Sequence, residues 1–155
     1  MAVASTASLY AWAWRNVHKL PDAPVRGTAH LVGDVAWLKR GPGVRQLERN
    51  LHRLRPDVGP RELRRISRAG MRSYMRYFVE AFQLAGWSTD QVDARVRGMG
   101  WEPVREVVKS GSSTVLALGH SGNWDLAGAW ASRAVAPVLS VAEQLPDGLY
   151  EEFVA

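Results

Sequence analysis

His120 and Asp125 stand five residues apart in the stretch Gly119-His-Ser-Gly-Asn-Trp-Asp125, and no other pair in the chain suggests chemistry so directly. On one continuous helix, five residues turn through roughly 140°, so the two side chains would face apart. They meet only if His120 lies in a loop and Asp125 in the first turn of the helix that follows. An acidic side chain is favoured there, because its charge complements the helix N-terminus. Paired in this way, the carboxylate accepts a hydrogen bond from one imidazole nitrogen and leaves the other free to take a proton. The result is a His-Asp general-base dyad, and a histidine near its ordinary pKa can act as base at physiological pH.

Other chemistries fit the same residues less well. Gly119-His-Ser-Gly-Asn123 begins like a nucleophile elbow, but G-x-S-x-G needs glycine at 123, where asparagine stands. Hydrolases of that kind also place their histidine after the serine, whereas His18, His30, His52 and His120 all precede Ser121. For a metal, His120 and Asp125 offer two ligands and no further histidine joins them by local spacing. Walker spacing for a phosphate loop is absent. A packing histidine beside a capping aspartate would leave the same two residue types, but the small and polar neighbours at a strand end weigh against so plain a role.

Positioning such a pair requires a strand, a tight loop and a helix. Thr114-Val-Leu-Ala-Leu118 reads as a short buried strand that stops at Gly119, and a helix is expected from Asn123 to Arg133. Strand ends are where open α/β sheets place their sites. Pro137 to Ala142 reads as a second parallel strand, Val96 to Trp101 as a further one, and Leu149 to Val154 as a closing helical turn or two. Upstream, helices are expected over Leu9–Leu20, Thr28–Arg40, Val44–Leu54, Arg61–Ala85 and Glu102–Lys109, with Ser88 capping a short one. The expected fold class is therefore α/β: a helical N-terminal part, 1–87, followed over 88–155 by the first strands of a mostly parallel sheet flanked by helices.

Composition narrows the class of protein. The chain has 155 residues, 46% of them apolar, which suffices for a real core, and it contains no cysteine for disulfides or thiolate-bound zinc. Residues 1–8 lack the basic start and apolar core of a signal peptide, and no apolar run is long enough to span a bilayer. The formal net charge of +5 admits an anionic partner or a solvated basic surface. Two features carry the same ambiguity. Tyr10, Trp12 and Trp14 beside Arg15, His18 and Lys19 suit a membrane interface or an ordinary first helix. Arg61, Arg65, Arg68, Arg72 and Arg76 form a stripe that either faces solvent or meets phosphates.

His120-Ser-Gly-Asn-Trp-Asp125 resembles the His-x4-Asp motif of the lysophospholipid acyltransferase superfamily. The surrounding stretches resemble its lipid A biosynthesis acyltransferase branch, and most of all the actinobacterial phosphatidylinositol mannoside acyltransferases. Those stretches are Arg40-Gly-Pro-Gly-Val-Arg45, Gln46 to Pro56, Arg72 to Phe82 and Ser140 to Leu145. The resemblance runs over nearly the whole chain.

It implies transfer of a fatty acyl group, commonly palmitoyl, from acyl-CoA to a mannose hydroxyl of a phosphatidylinositol mannoside. By the family's mechanism, His120 is the general base and Asp125 orients it. The resemblance further implies that Ser121, Gly122, Asn123, Trp124 and Glu143 bind substrate. Acyl-CoA would be a co-substrate; no cofactor, metal or nucleic acid is implied. The protein would act as a monomer, peripherally, at the cytoplasmic face of the cell membrane. Family members continue for about as many residues again, so the expected domain is the N-terminal half of one acyltransferase domain. A chain ending at Ala155 is expected to have weak or no activity. The alternative is an inactive truncated remnant that only binds anionic membrane surfaces.

Overall fold

The structure, a computed structural model, describes residues 6–119 and 121–141. Seven α-helices follow one another among them: α1 Thr6–Asn16, α2 Asp22–Leu38, α3 Pro42–Leu54, α4 Pro60–Leu84, α5 Thr89–Asp93, α6 Glu102–Lys109 and α7 Trp124–Ala134. A single 3-10 turn, Val17–Lys19, follows α1. The chain divides into two compact units, one made of residues 20–79 and the other of residues 1–19 with 80–155.

The expected α/β architecture is overturned: among the described residues there is no strand and no sheet. A strand exists only through ladder bonds to a neighbour, and Thr114–Leu118 finds none. Its side chains lie open instead, Val115 at 95% and Leu118 at 69% exposure. The run from Pro137, described as far as Val141, is equally bare, with Leu139 at 98% and Val141 at 100%. The stretch 96–101 is a loop, in which Gly100 takes a left-handed backbone (φ 73°) that a strand does not contain. The closing turn expected over Leu149–Val154 lies outside the described residues.

Local chemistry explains where the helices start. The second helix begins at Asp22, six residues ahead of the expected Thr28, with Pro24 in its first turn. A proline there costs no bond, since the first four N–H groups of a helix have no intrahelical acceptor. Ahead of α5, Ser88 and Gln91 form the reciprocal capping box: Gln91 N–H donates to Ser88 Oγ (3.3 Å) and Ser88 N–H to Gln91 Oε1 (2.8 Å).

In the 20–79 unit, Gly33 lets α2 approach α4 closely. A methyl group at that position would lie 3.1 Å from the Met71 carbonyl oxygen and 3.2 Å from the Arg72 backbone. Next to it, the carboxylate of Asp34 accepts two-pronged hydrogen bonds from Arg68 and Arg72. One turn further along α2, Trp37 Nε1 donates to Ser67 Oγ at 2.8 Å, and Ser67 is fully buried. The Ser67 hydroxyl also lies 3.2 Å from a Glu48 carboxylate oxygen and 3.1 Å from the Arg64 carbonyl. The guanidinium groups of Arg64 and Arg68 lie over the Trp37 ring, 5.0 and 5.8 Å from its centre.

The other unit is held by aromatic packing. Tyr10 and Trp14, one turn apart on α1, set their rings against Phe82 at 5.1 and 5.5 Å. The inward face of α1 is therefore Tyr10–Trp14, while Leu9 and Trp12 stay exposed. A second cluster joins Val92 of α5 to Leu126, Trp130 and Ala131 of α7, with the Trp101 ring 5.5 Å from that of Trp130.

Two outcomes test this packing. Ser67→Ala leaves the Trp37 indole N–H without its acceptor and should lower unfolding free energy by about 1–3 kcal/mol, read by urea denaturation. The two guanidinium groups hold the Asp34 carboxyl far below the usual carboxylate range, first through hydrogen bonding to Arg68 and then to Arg72. A depressed folded-state pKa stabilises the fold above the unfolded value of about 4 and loses that contribution as pH falls below it. Asp34→Asn should melt earlier than the parent at pH 7, with the gap narrowing steadily below about pH 4.

Candidate functional site

The loop that feeds α7 is built from three local constraints. Gly122 has φ 74°, a left-handed conformation that only glycine adopts without strain. Ser121 N–H donates to the Gly119 carbonyl at 2.6 Å, a tight closure of the exposed loop. Asn123 then takes an extended backbone (φ −110°, ψ 90°) and starts α7 as its N-cap. Its Oδ1 accepts from Leu126 N–H at 3.0 Å, satisfying one of the orphan donors of the helix start.

The other end of the Asn123 amide turns toward α4. Asn123 Nδ2 donates to Glu80 Oε2 at 3.1 Å, a link across 43 residues of sequence. Both side chains are half-buried. One planar amide therefore spans the start of α7 and the last turns of α4.

With α7 starting at Trp124, Asp125 stands in its first turn, where the five-residue spacing requires it. Trp124 and Asp125 are half-buried, and Leu126 behind them is buried in the Trp130 cluster. The structure thus brings together Ser121, Gly122, Asn123, Trp124 and Asp125 within one loop and helix start. His120 and Glu143 lie outside the described residues. Chemically, the described part supplies a carboxylate at an electropositive helix start, behind a loop fixed by a glycine and a cap.

Sequence reasoning misses Glu80. It is one more residue of a long helix there, and no local spacing links it to Asn123. The arginine stripe of α4 also resolves differently from a free anion-binding face. Arg65 is paired with Glu62, and Arg68 and Arg72 are both committed to Asp34. The signal that could have exposed this is Asp34 itself, an acidic residue amid the apolar run Leu31-Val-Gly-Asp-Val-Ala-Trp37.

Comparison with known proteins covers nearly the whole chain. The family model of the bacterial lipid A biosynthesis acyltransferases matches residues 1–154. A phosphatidylinositol mannoside acyltransferase of Mycolicibacterium smegmatis is 36% identical over 149 residues, covering 94% of this chain and 47% of the relative. One from Mycobacterium tuberculosis is 33% identical over 153 residues, covering 94% and 46%. The chain thus spans about half the length of the curated relatives it matches. No solved structure matches it.

The cap makes a plain prediction. Asn123→Ala should cost about 1 kcal/mol of unfolding free energy by chemical denaturation, and Asn123→Ser, which keeps a capping oxygen, distinctly less.

Proposed function

This chain belongs to the bacterial lipid A biosynthesis acyltransferase family, and from that premise we propose that it carries the general-base dyad of an acyl transfer to a glycolipid. His120 is the base and Asp125 orients it. The acyl donor is acyl-CoA, with a palmitoyl chain, and the acceptor is a mannose hydroxyl of a phosphatidylinositol mannoside. The relatives' names support that acceptor, since both are phosphatidylinositol mannoside acyltransferases.

The reading rests above all on one observation, the position of Asp125 in the first turn of α7. A residue five positions earlier in sequence precedes that helix, so the two are not forced onto opposite faces of one cylinder. In the reaction, the His120 imidazole takes the proton of the acceptor hydroxyl as its oxygen attacks the thioester carbonyl carbon. Collapse of the tetrahedral intermediate breaks the carbon–sulfur bond, and the imidazolium returns its proton to the departing thiolate. The acyl group passes directly from sulfur to oxygen, with no acyl-enzyme. The Asp125 carboxylate holds the imidazole in the right tautomer and stabilises its charged form.

Ser121, Gly122, Trp124 and Glu143 contribute to substrate binding in this proposal, while Asn123, expected among them, has its amide engaged by Leu126 N–H and Glu80 and serves the loop instead. The site works at the cytoplasmic face of the cell membrane. Among the described residues, no helix is long and apolar enough to cross a membrane. Attachment would be peripheral, through basic and aromatic surface such as the exposed Trp12 beside Arg15.

Release of CoA thiol from palmitoyl-CoA, in the presence of a mannoside glycolipid acceptor, tests the assignment. His120→Ala should lower turnover by about 10²- to 10⁴-fold, the usual contribution of a positioned base. Turnover unchanged in that variant would remove His120 from the mechanism. Binding to anionic vesicles with no turnover in the parent chain would favour membrane binding alone as the role of these residues.

A further inference from the structure

The link between Glu80 and Asn123 has a role that cap strength alone does not account for. An N-cap asparagine needs only its side-chain oxygen, and aspartate or serine serves about as well. Here the amide nitrogen is also engaged, by a half-buried carboxylate from a different helix. Partial burial strengthens such a hydrogen bond. It also fixes which way the amide faces: with Nδ2 on Glu80, Oδ1 is left to face the Leu126 N–H.

We propose that Glu80 is the positioning residue of the His-x4-Asp loop, holding it to the last turns of α4 through the Asn123 amide. Glu80 touches neither substrate nor the reacting atoms in this role. It acts through Asn123, which stands between the sequence positions of His120 and Asp125. The position of the loop then depends on α4 as well as on its own helix. That this loop is catalytic rests on the acyl-transfer reading above; that Glu80 holds it does not.

The donor and acceptor can be exchanged, which gives a test. Asn123→Asp keeps a capping oxygen for Leu126 N–H but sets a second carboxylate against Glu80. Glu80→Gln alone keeps an amide oxygen to accept from Asn123. In the double variant E80Q/N123D, an amide on α4 donates to a carboxylate at the cap, and the bond is restored in reverse. Hydrogen exchange over residues 119–127 of the full chain should quicken by about tenfold in Asn123→Asp. It should change little in Glu80→Gln and return close to the parent rate in the double variant. Exchange in the double variant as fast as in Asn123→Asp overturns the proposal, and so does an Asn123→Asp loop that exchanges at the parent rate.

Turnover of palmitoyl-CoA supplies the second readout. kcat should fall in Asn123→Asp with KM for the thioester unchanged, and recover in the double variant. Rescue of exchange without rescue of kcat overturns the positioning role in catalysis and leaves Glu80 as a structural tie. Turnover indifferent to His120→Ala sinks the acyl-transfer reading instead, and the exchange rates then decide the Glu80 proposal by themselves.

Discussion

A helix cannot begin without leaving N–H groups unanswered, and at α7 one of them is answered by a side chain that also reaches another helix. Asn123 turns its oxygen to the helix and its nitrogen to Glu80. The placement of Asp125 follows from where this puts the chain. The helix starts at Trp124, so Asp125 is in the first turn, and Leu126 is drawn into the core formed with Val92 and Trp130. Gly122 supplies the left-handed turn that lets the backbone enter from that direction. The anchored Leu126 and the capped Asn123 bracket Asp125 on either side, so its backbone is defined by packing and hydrogen bonding together.

The helices are largely legible in the sequence because each carries its own local evidence. The expected Glu102–Lys109 matches α6 to the residue, and the Ser88 and Asn123 caps stand where their residue types suggest. Pro24 misleads: it has the look of a stop, yet it sits in the first turn of the next helix, where a missing N–H is harmless. The strands are not legible in the same way. Thr114–Leu118 has the composition of a buried strand, but a strand is a relation between segments, and composition describes only one of them. Without a ladder partner among the described residues, the run stays irregular and Val115 open to solvent.

The candidate site divides along the same line. The five-residue spacing and the capping asparagine are local, and both are visible in the sequence. The contact of Asn123 with Glu80 spans 43 residues and depends on how α4 packs, which no motif records. The arginine stripe of α4 shows the limit from the other side: its spacing is plain in the sequence, but its purpose depends on Asp34, which lies 34 and 38 residues from Arg68 and Arg72. The aromatic residues of α1 behave likewise. Tyr10 and Trp14 have the composition of an interface segment, yet their rings are held against Phe82.

The grip of Asp34 on two arginines has a mechanical consequence for α2 and α4. Arg68 and Arg72 are successive rungs on one face of α4, about 6 Å apart along its axis at 1.5 Å per residue. A carboxylate seated between them works like a pawl between two teeth. Sliding α2 by one turn in either direction would keep at most one tooth engaged and would carry Gly33 away from the Met71 backbone, against which only a hydrogen fits comfortably. The pair therefore has one register, chosen twice over by neighbouring residues, once by charge and once by shape.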